Sequence, residues 1–260
     1  MKPLVSKLLA LPTLLALAAC ATPPARHQAY AAATQAYVDG FQAEARQVRL
    51  IALPSLQKPP PARGQRQGQG QERGRGSRSA IAPPPPADCA MPASLDQAAA
   101  ERCGIMDRQA LTELAFRHAG ALAGYFSALA STANQFDPTP AAAPLAERRA
   151  EAMALGDDLM RVAGIDASEL APYRPVEARV GLRPAFAAEM ASHGWQMRRQ
   201  WQIHEVALAR LALLPGGDVS QELRRLRAAT AGLRAGFEAL VRSDDEALPL
   251  IAGARATLAR

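Results

Sequence analysis

Histidine is the residue type in this chain that most directly suggests chemistry, because three of the four histidines fall on the apolar stripes of predicted helices. His193 and His204 are eleven residues apart, about 16 Å along an α-helix, so they cannot share one metal ion. Either of them can meet His118 on a neighbouring helix, with Met190 or Met197 nearby. A haem held by His/His or His/Met ligands between helices is one interpretation, and it would make the protein a small-ligand or haem carrier.

A plainer interpretation is that each of these histidines sits at the core boundary. One ring nitrogen would then be hydrogen-bonded while the other faces water. The chain contains no C-x-x-C-H sequence of the kind that attaches haem, and the methionine spacing is ordinary for core filling. We therefore favour boundary histidines and expect neither a cofactor nor a metal site.

Motifs of known enzyme chemistries are incomplete. His204-Glu205 begins the zinc motif H-E-x-x-H, but Leu208 occupies the position of the second histidine. Ser55 and Lys58 match S-x-x-K, but a proline run follows directly, where no helix can bring the lysine over the serine. We therefore expect no enzymatic activity.

The elements that position these residues are predicted to be helices. The chain has 260 residues, of which 49% are hydrophobic and only 5% aromatic, and alanine, the best helix former, is abundant. Apolar residues recur alternately at four and three positions, a period that packs helices side by side near 20°. Together with short Pro/Gly turns, this pattern predicts an all-α, up-and-down antiparallel helical bundle with a disordered Pro/Gly/Gln/Arg-rich insert.

Capping and breaking residues set the expected helix boundaries, which divide the mature chain into an N-terminal amphipathic helix over 27–53 and a bundle over 88–260. The predicted stops and starts are Pro54, Ser94, Cys103-Gly104, Asp107, Pro144, Gly164, the Asp166–Glu169 turn, a long helix over 182–214, Asp218 and the Ser243–Glu246 capping box.

Residues 54–87 differ in composition from the rest of the chain. They contain six basic residues against Glu72, together with runs of proline, glycine and glutamine, and have little apolar surface to bury. We expect a disordered basic linker, a soluble spacer that makes at most weak contact with cell wall polymer or anionic lipid. Residues 1–19 carry two further cations, so the net charge of +6 leaves the folded part near neutral, and we expect no nucleic acid partner.

The N-terminus has the features of an export signal. Lys2 and Lys7 precede an apolar run over 8–19 that is too short to span a bilayer, and the run ends in Leu17-Ala18-Ala19-Cys20. This ending resembles the lipobox of bacterial lipoproteins. The resemblance covers about twenty residues and implies removal of residues 1–19, attachment of diacylglycerol to the Cys20 sulfur, acylation of its new amino group, and a lipidated tether over 20–26.

The resemblance also implies a location. In that family an aspartate after the cysteine retains the protein in the inner membrane, and Ala21 stands there instead. The expected site is therefore the periplasmic face of the outer membrane. The alternative is an ordinary secretory signal cut near Ala19, which leaves Cys20 as a free thiol.

The two remaining cysteines, Cys89 and Cys103, form an even pair in an oxidising compartment. A disulfide between them would close a loop of about 15 residues and stabilise the fold by about 3 kcal/mol in the chain-entropy model. Two reduced thiols are the alternative, and a metal site is weaker still because two cysteines cannot complete a zinc shell.

Trp195 is the candidate for a partner contact. It lies about 200° around its helix from His193, off the main apolar stripe, with Arg199 one turn further on. Tryptophan and arginine dominate interface hot spots, so both residues can anchor another envelope protein. Trp195 could instead pack under another helix, such as the one over 27–53, or simply lie beneath the Arg199 side chain. The sequence thus favours a non-enzymatic lipoprotein that mediates protein interaction or envelope assembly.

Overall fold

The computed structural model describes residues 23–57, 97–132, 139–172, 174, 184–214, 221–242 and 246–259. Six α-helices account for nearly all of these described residues, and the predicted all-α helical bundle is confirmed. A single 3₁₀ turn, Ala167–Glu169, follows the third helix. The helices are α1 (Pro23–Gln57), α2 (Gln97–Thr132), α3 (Thr139–Ala163), α4 (Pro184–Leu213), α5 (Gln221–Val241) and α6 (Ala247–Leu258).

Helix α1 is a central element of the bundle rather than an appendage. It packs against α2, α5 and α6. The side chains of Tyr30, Ala33, Tyr37 and Phe41 are at most 1% exposed. The four-three spacing of these residues produces this buried face, which joins an aromatic core shared with α2, α4 and α5.

Contacts between helices fix their directions. The ring of Tyr30 packs on Phe126 at a centroid distance of 4.8 Å, whereas Glu44 pairs with Arg108 at 3.4 Å, so α1 and α2 are antiparallel. On the other side of α1, the ring of His27 lies 4.2 Å from that of Phe186 near the start of α4. Farther along both helices Tyr37 meets His204, so α1 and α4 are parallel.

The step from α3 to α4 departs from simple up-and-down order. Arg149 pairs with Glu189 at 2.6 Å, and Gly156 lies against Gln200, so residue numbers rise together along α3 and α4. These two helices are therefore parallel. The described part of the connection between them lies along α4, where Glu169 binds Arg210 at 2.7 Å and Arg174 lies beside Trp195.

Two predicted signals at this connection are confirmed. Gly164 ends α3 in the left-handed conformation, at φ +62°, and the Ile165 amide donates to the Met160 carbonyl oxygen at 2.9 Å. Asp166 and Glu169 open the predicted short turn, and the structure shows that they form a capping box around its 3₁₀ helix.

Three predicted boundaries were wrong. Helix α2 is continuous through Gly104 and Asp107, because one glycine inside a long helix costs only about 1 kcal/mol. Helix α3 begins at Thr139 rather than Pro144, which lies exposed inside the helix, where the carbonyl it leaves unpaired can reach water. Helix α1 continues past Pro54 to Gln57, since a proline in the last turn removes few hydrogen bonds.

Candidate functional site

Two histidines meet in the centre of the bundle. His118 on α2 and His204 on α4 are both 0% exposed, and their Nδ1 atoms lie 3.2 Å apart. The prediction that either His193 or His204 meets His118 is thus met by His204. The favoured interpretation, a boundary histidine with one nitrogen facing water, was wrong for both His118 and His204 because helices cover both rings completely.

The two rings belong to a chain of hydrogen bonds across four helices. His118 Nε2 lies 3.0 Å from Gln200 Oε1, and His204 Nε2 lies 2.7 Å from the Tyr37 hydroxyl. The Thr230 hydroxyl lies 2.8 Å from the Tyr37 oxygen and 2.7 Å from the Leu226 carbonyl oxygen. We call Thr230, Tyr37, His204, His118 and Gln200 the polar chain.

One direction of donation satisfies every link between the five side chains. Thr230 donates its single hydroxyl proton to Tyr37 rather than to the Leu226 carbonyl oxygen, and the Tyr37 hydroxyl donates to His204 Nε2. His204 Nδ1–H then donates to His118 Nδ1, and His118 Nε2–H donates to the Gln200 carbonyl oxygen. This assignment follows from the partners of each nitrogen and requires that both imidazoles are neutral, in opposite tautomers.

Burial supports the neutral state. It lowers the pKa of His118 to about 4, and the hydrogen bond to Gln200 opposes that shift only in part. Burial also lowers the pKa of His204 well below its ordinary value, and the neighbouring His118 adds to the effect. For Tyr37, burial raises the pKa, so its hydroxyl stays protonated. The polar chain therefore carries no charge at neutral pH.

This arrangement offers little to a metal ion or a haem iron. Every ring nitrogen of His118 and His204 is already a donor or an acceptor, so an iron would have to replace one of these bonds. The rings of Phe41 and Trp201 pack against His204, and Phe126 stacks on Trp201. Within the described ranges, no group of three or more His, Cys, Asp or Glu side chains is placed to hold a metal ion.

His193 is not part of the polar chain. Its ring is half-buried, and its Nδ1 lies 3.0 Å from Gln196 Oε1.

Three members of the polar chain, Tyr37, Thr230 and Gln200, were not predicted as polar partners. Tyr37 and Thr230 lie at positions of the four-three apolar stripes of their helices, so their spacing indicates only that they face the core. A signal for Gln200 exists, because it lies four residues before His204 and therefore on the same face of α4. Gly156 of α3 leaves space for the Gln200 carboxamide, since a Cβ placed on that glycine would overlap the amide oxygen.

Trp195 and Arg199, the two predicted contact residues, lie together at the surface. They line a small cavity of about 20 Å³ between α4 and the connection that follows α3, together with Arg198, Gln202, Ala171, Pro172 and Arg174. Trp195 is half-buried. Its neighbours in this cavity are Ala171, Pro172 and Arg174 of the connection and side chains of α4 itself.

The charge around this cavity is positive. Arg198 Nε binds Glu238 Oε1 at 3.0 Å, which leaves the other nitrogens of that guanidinium outside this pair. Arg174 and Arg199 form no ion pair with any residue that the structure describes. A half-buried indole beside unpaired guanidinium groups suits a partner that presents a carboxylate next to an apolar group.

The remaining predicted sites fall outside what the structure describes. Cys20 and Cys89 lie outside the described residues, as does most of the basic linker. Cys103 lies in α2, where its side chain is not described. Lipid attachment and the disulfide therefore remain predictions.

Comparisons with protein-family models, curated proteins and solved structures found no match for this chain. Among the helices that the structure describes, none combines the length and apolarity needed to cross a bilayer.

Proposed function

We propose that the protein is a non-enzymatic lipoprotein on the periplasmic face of the outer membrane, whose helical bundle binds another envelope protein and supports its assembly. The observation that carries the proposal is the Leu17-Ala18-Ala19-Cys20 sequence after a short basic and apolar leader. Lipid chains on Cys20 would fasten the protein firmly, since each buried CH₂ contributes about 0.8 kcal/mol.

The surface around Trp195 and Arg199 is the proposed docking site. Its support is the combination of a half-buried indole with the unpaired guanidinium groups of Arg174 and Arg199. The polar chain is proposed as a structural element rather than a reactive one, because every ring nitrogen of its two histidines and the Tyr37 hydroxyl already have partners within the bundle.

A Cys20→Ala variant tests the anchor. Cells that express the native chain are labelled with radioactive palmitate and their membranes are separated. The native protein is expected to carry label and to fractionate with the outer membrane, whereas the variant carries no label and is found in the soluble periplasmic fraction. A native protein without lipid on Cys20 would contradict the proposal.

Crosslinking in the intact envelope tests the docking site. Trp195→Ala and Arg199→Glu are expected to remove a crosslinked partner, while Arg255→Ala, an exposed arginine on α6, retains it. Thermal unfolding of each variant separates loss of binding from loss of structure. A partner that is kept by both variants contradicts this site, and a Soret absorption band in the purified protein would favour a haem carrier instead.

A further inference from the structure

The directions of the helices place their ends in two groups. One group, which we call the anchor end, contains the start of the chain that the structure describes and the helix termini Pro23, Thr132, Thr139, Pro184, Val241 and Ala247. The opposite group, the far end, contains Gln57, Gln97, Leu213 and Gln221, whereas α3 and α6 end part-way along the bundle, with Leu258 beside Gly40 in the middle of α1. We propose that the lipid on Cys20 holds the bundle by its anchor end, so that the helices stand away from the membrane and the far end faces the periplasm.

This proposal rests on the lipidation proposed above, and its first support is the short distance along the chain. Pro23, the first residue of α1, is the third residue after Cys20. Three residues of extended chain reach at most about 10 Å. The acylated sulfur therefore lies close beneath the anchor end, whatever path those residues take.

The second support is that α1 is built into the core almost from its first turn. His27 is 6% exposed and its ring packs on Phe186 of α4. Tyr30 is 1% exposed, and its hydroxyl donates to the Leu233 carbonyl oxygen of α5 at 3.0 Å. Because α1 is fixed to both helices here, it cannot swing away from the bundle to lengthen the tether.

The length of α1 then sets the height of the far end. Thirty-five helical residues span about 52 Å, so Gln57 lies about that far from Pro23 along the helix. Gln97, where the chain returns to the bundle, is at the same end. A bundle that stands upright thus presents the two attachment points of residues 58–96 far from the lipid surface.

The flanks of the bundle offer little to hold it flat on lipid. The large exposed apolar side chains among the described residues are Val162, at 46%, and Leu213, at 77%. Leu213 lies in the last turn of α4 near the far end, and Val162 lies in the last turn of α3, part-way along the bundle. One exposed valine on the described flanks offers little to insert among acyl chains, so the lipid on Cys20 would be the main attachment.

The upright orientation also locates the proposed docking site. Trp195 lies nine residues after Phe186, which packs beside His27, and nine residues before His204, which meets Tyr37. Nine helical residues rise about 14 Å, so these contacts place Trp195 on the side of the bundle, about 8 to 20 Å above Pro23. Its partner would have to reach that height above the inner surface of the outer membrane.

Fluorescence quenching in proteoliposomes tests the orientation with the full lipidated protein. A coumarin amino acid replaces either Ala142, exposed in the first turn of α3 at the anchor end, or Leu213 at the far end. The vesicles are made of phosphatidylethanolamine and phosphatidylglycerol with nitroxide on a fraction of the headgroups. We expect strong loss of fluorescence at position 142 and no loss at position 213.

Other outcomes overturn the proposal in distinguishable ways. Equal quenching at both positions means that the bundle lies flat, quenching at 213 alone means that it is inverted, and quenching at neither means that it stands off on a longer tether. Flotation of the same samples is measured first. A protein that does not float with the vesicles refutes the lipid anchor itself and the orientation with it. Labels at Ser131 and Arg161 repeat the comparison if either first variant unfolds.

Discussion

Acidification is expected to destabilise the bundle through the two buried histidines. Burial lowers the pKa of His118 to about 4 and that of His204 in the same direction, whereas an exposed histidine in the unfolded chain titrates near its ordinary value of about 6.5. The unfolded state therefore binds protons first as the pH falls. The stability that these two neutral histidines contribute is fully present above about pH 7, and it is lost progressively as the pH falls towards 4.

The magnitude follows from the difference between the two pKa values of His118. Through His118 alone, the free energy of unfolding is about 2 kcal/mol lower at pH 5 than at pH 8, and about 3 kcal/mol lower at pH 4. Each unit of pKa shift corresponds to about 1.4 kcal/mol. His204 adds to this loss with the same sign. Against a typical total stability of about 5–15 kcal/mol, such a loss is easily measured.

Protonation also breaks specific bonds. The Nδ1 atoms of His118 and His204 face each other at 3.2 Å, and only one of them can carry a proton without repulsion. A proton added to His118 therefore places a second N–H against the Nδ1–H of His204. Protonation of His118 in the folded state is therefore unfavourable for two reasons: a charge is buried away from water, and the hydrogen bond between the two Nδ1 atoms is lost.

Urea denaturation at a series of pH values measures the effect. The wild-type free energy of unfolding is expected to fall by about 2 kcal/mol or more between pH 7.5 and pH 5, a range in which ordinary carboxylates stay ionised. His118→Gln combined with His204→Gln removes both titrating groups and is expected to flatten the dependence on pH, whatever it does to stability at pH 7. His193→Gln, whose ring is only half-buried, is the matched control and should keep the wild-type slope.

A free energy of unfolding that is independent of pH over this range would refute the placement of two neutral, buried histidines. So would an undiminished slope in the double variant. Because both readouts compare slopes rather than absolute stabilities, a general loss of stability in the variant does not obscure the result.

Three further outcomes are expected from the packing. Gly156→Ala should destabilise the protein by about 1–3 kcal/mol in urea denaturation, because the new Cβ displaces the Gln200 carboxamide. Gly253→Ala is the control and should stabilise the protein by up to about 1 kcal/mol, because the space around Gly253 is open. Equal effects of the two substitutions would contradict the close approach of Gly156 and Gln200. Glu44→Gln should lower the free energy of unfolding by about 3–5 kcal/mol, because it leaves the Arg108 charge buried and poorly paired. In a double-mutant cycle, the additional substitution Arg108→Met should restore much of the lost stability. Reduction of the predicted disulfide should lower stability by about 3 kcal/mol, and a non-reducing peptide map without the linked pair would show that it does not form.

The helices were largely predictable because their signal is local. Gly164 and Asp166 act through their own backbone and side-chain geometry, so the end of α3 and the turn after it followed directly from the sequence. Gly104 and Pro144 misled for the opposite reason. Each lowers helix propensity, but packing along the rest of a long helix outweighs a cost of about 1–3 kcal/mol at one position.

The same distinction between local and long-range signals explains which parts of the candidate sites could be predicted from the sequence. Trp195 and Arg199 are one turn apart on a single helix, so their shared place at the surface followed from spacing alone. The polar chain joins residues up to 193 positions apart, and periodicity does not state which helices become neighbours. His204 was therefore placed on an inward face, but its bonds to Tyr37 and His118 required the tertiary structure.

The polar chain explains how an alanine-rich bundle adopts a single arrangement. Stripes with a four-three period allow neighbouring helices to slide by a turn and still bury apolar side chains, and small alanine residues resist such a shift weakly. The polar chain does not permit this, because a one-turn shift of α4 would leave His118 and His204 buried without partners and the Tyr37 hydroxyl proton without an acceptor, at about 1–3 kcal/mol for each group. The register of α1 and of α2 against α4 therefore follows from the same hydrogen bonds. Because these bonds also align α1 with the rest of the bundle, they fix the position of the far end relative to Pro23, on which the proposed orientation at the membrane depends.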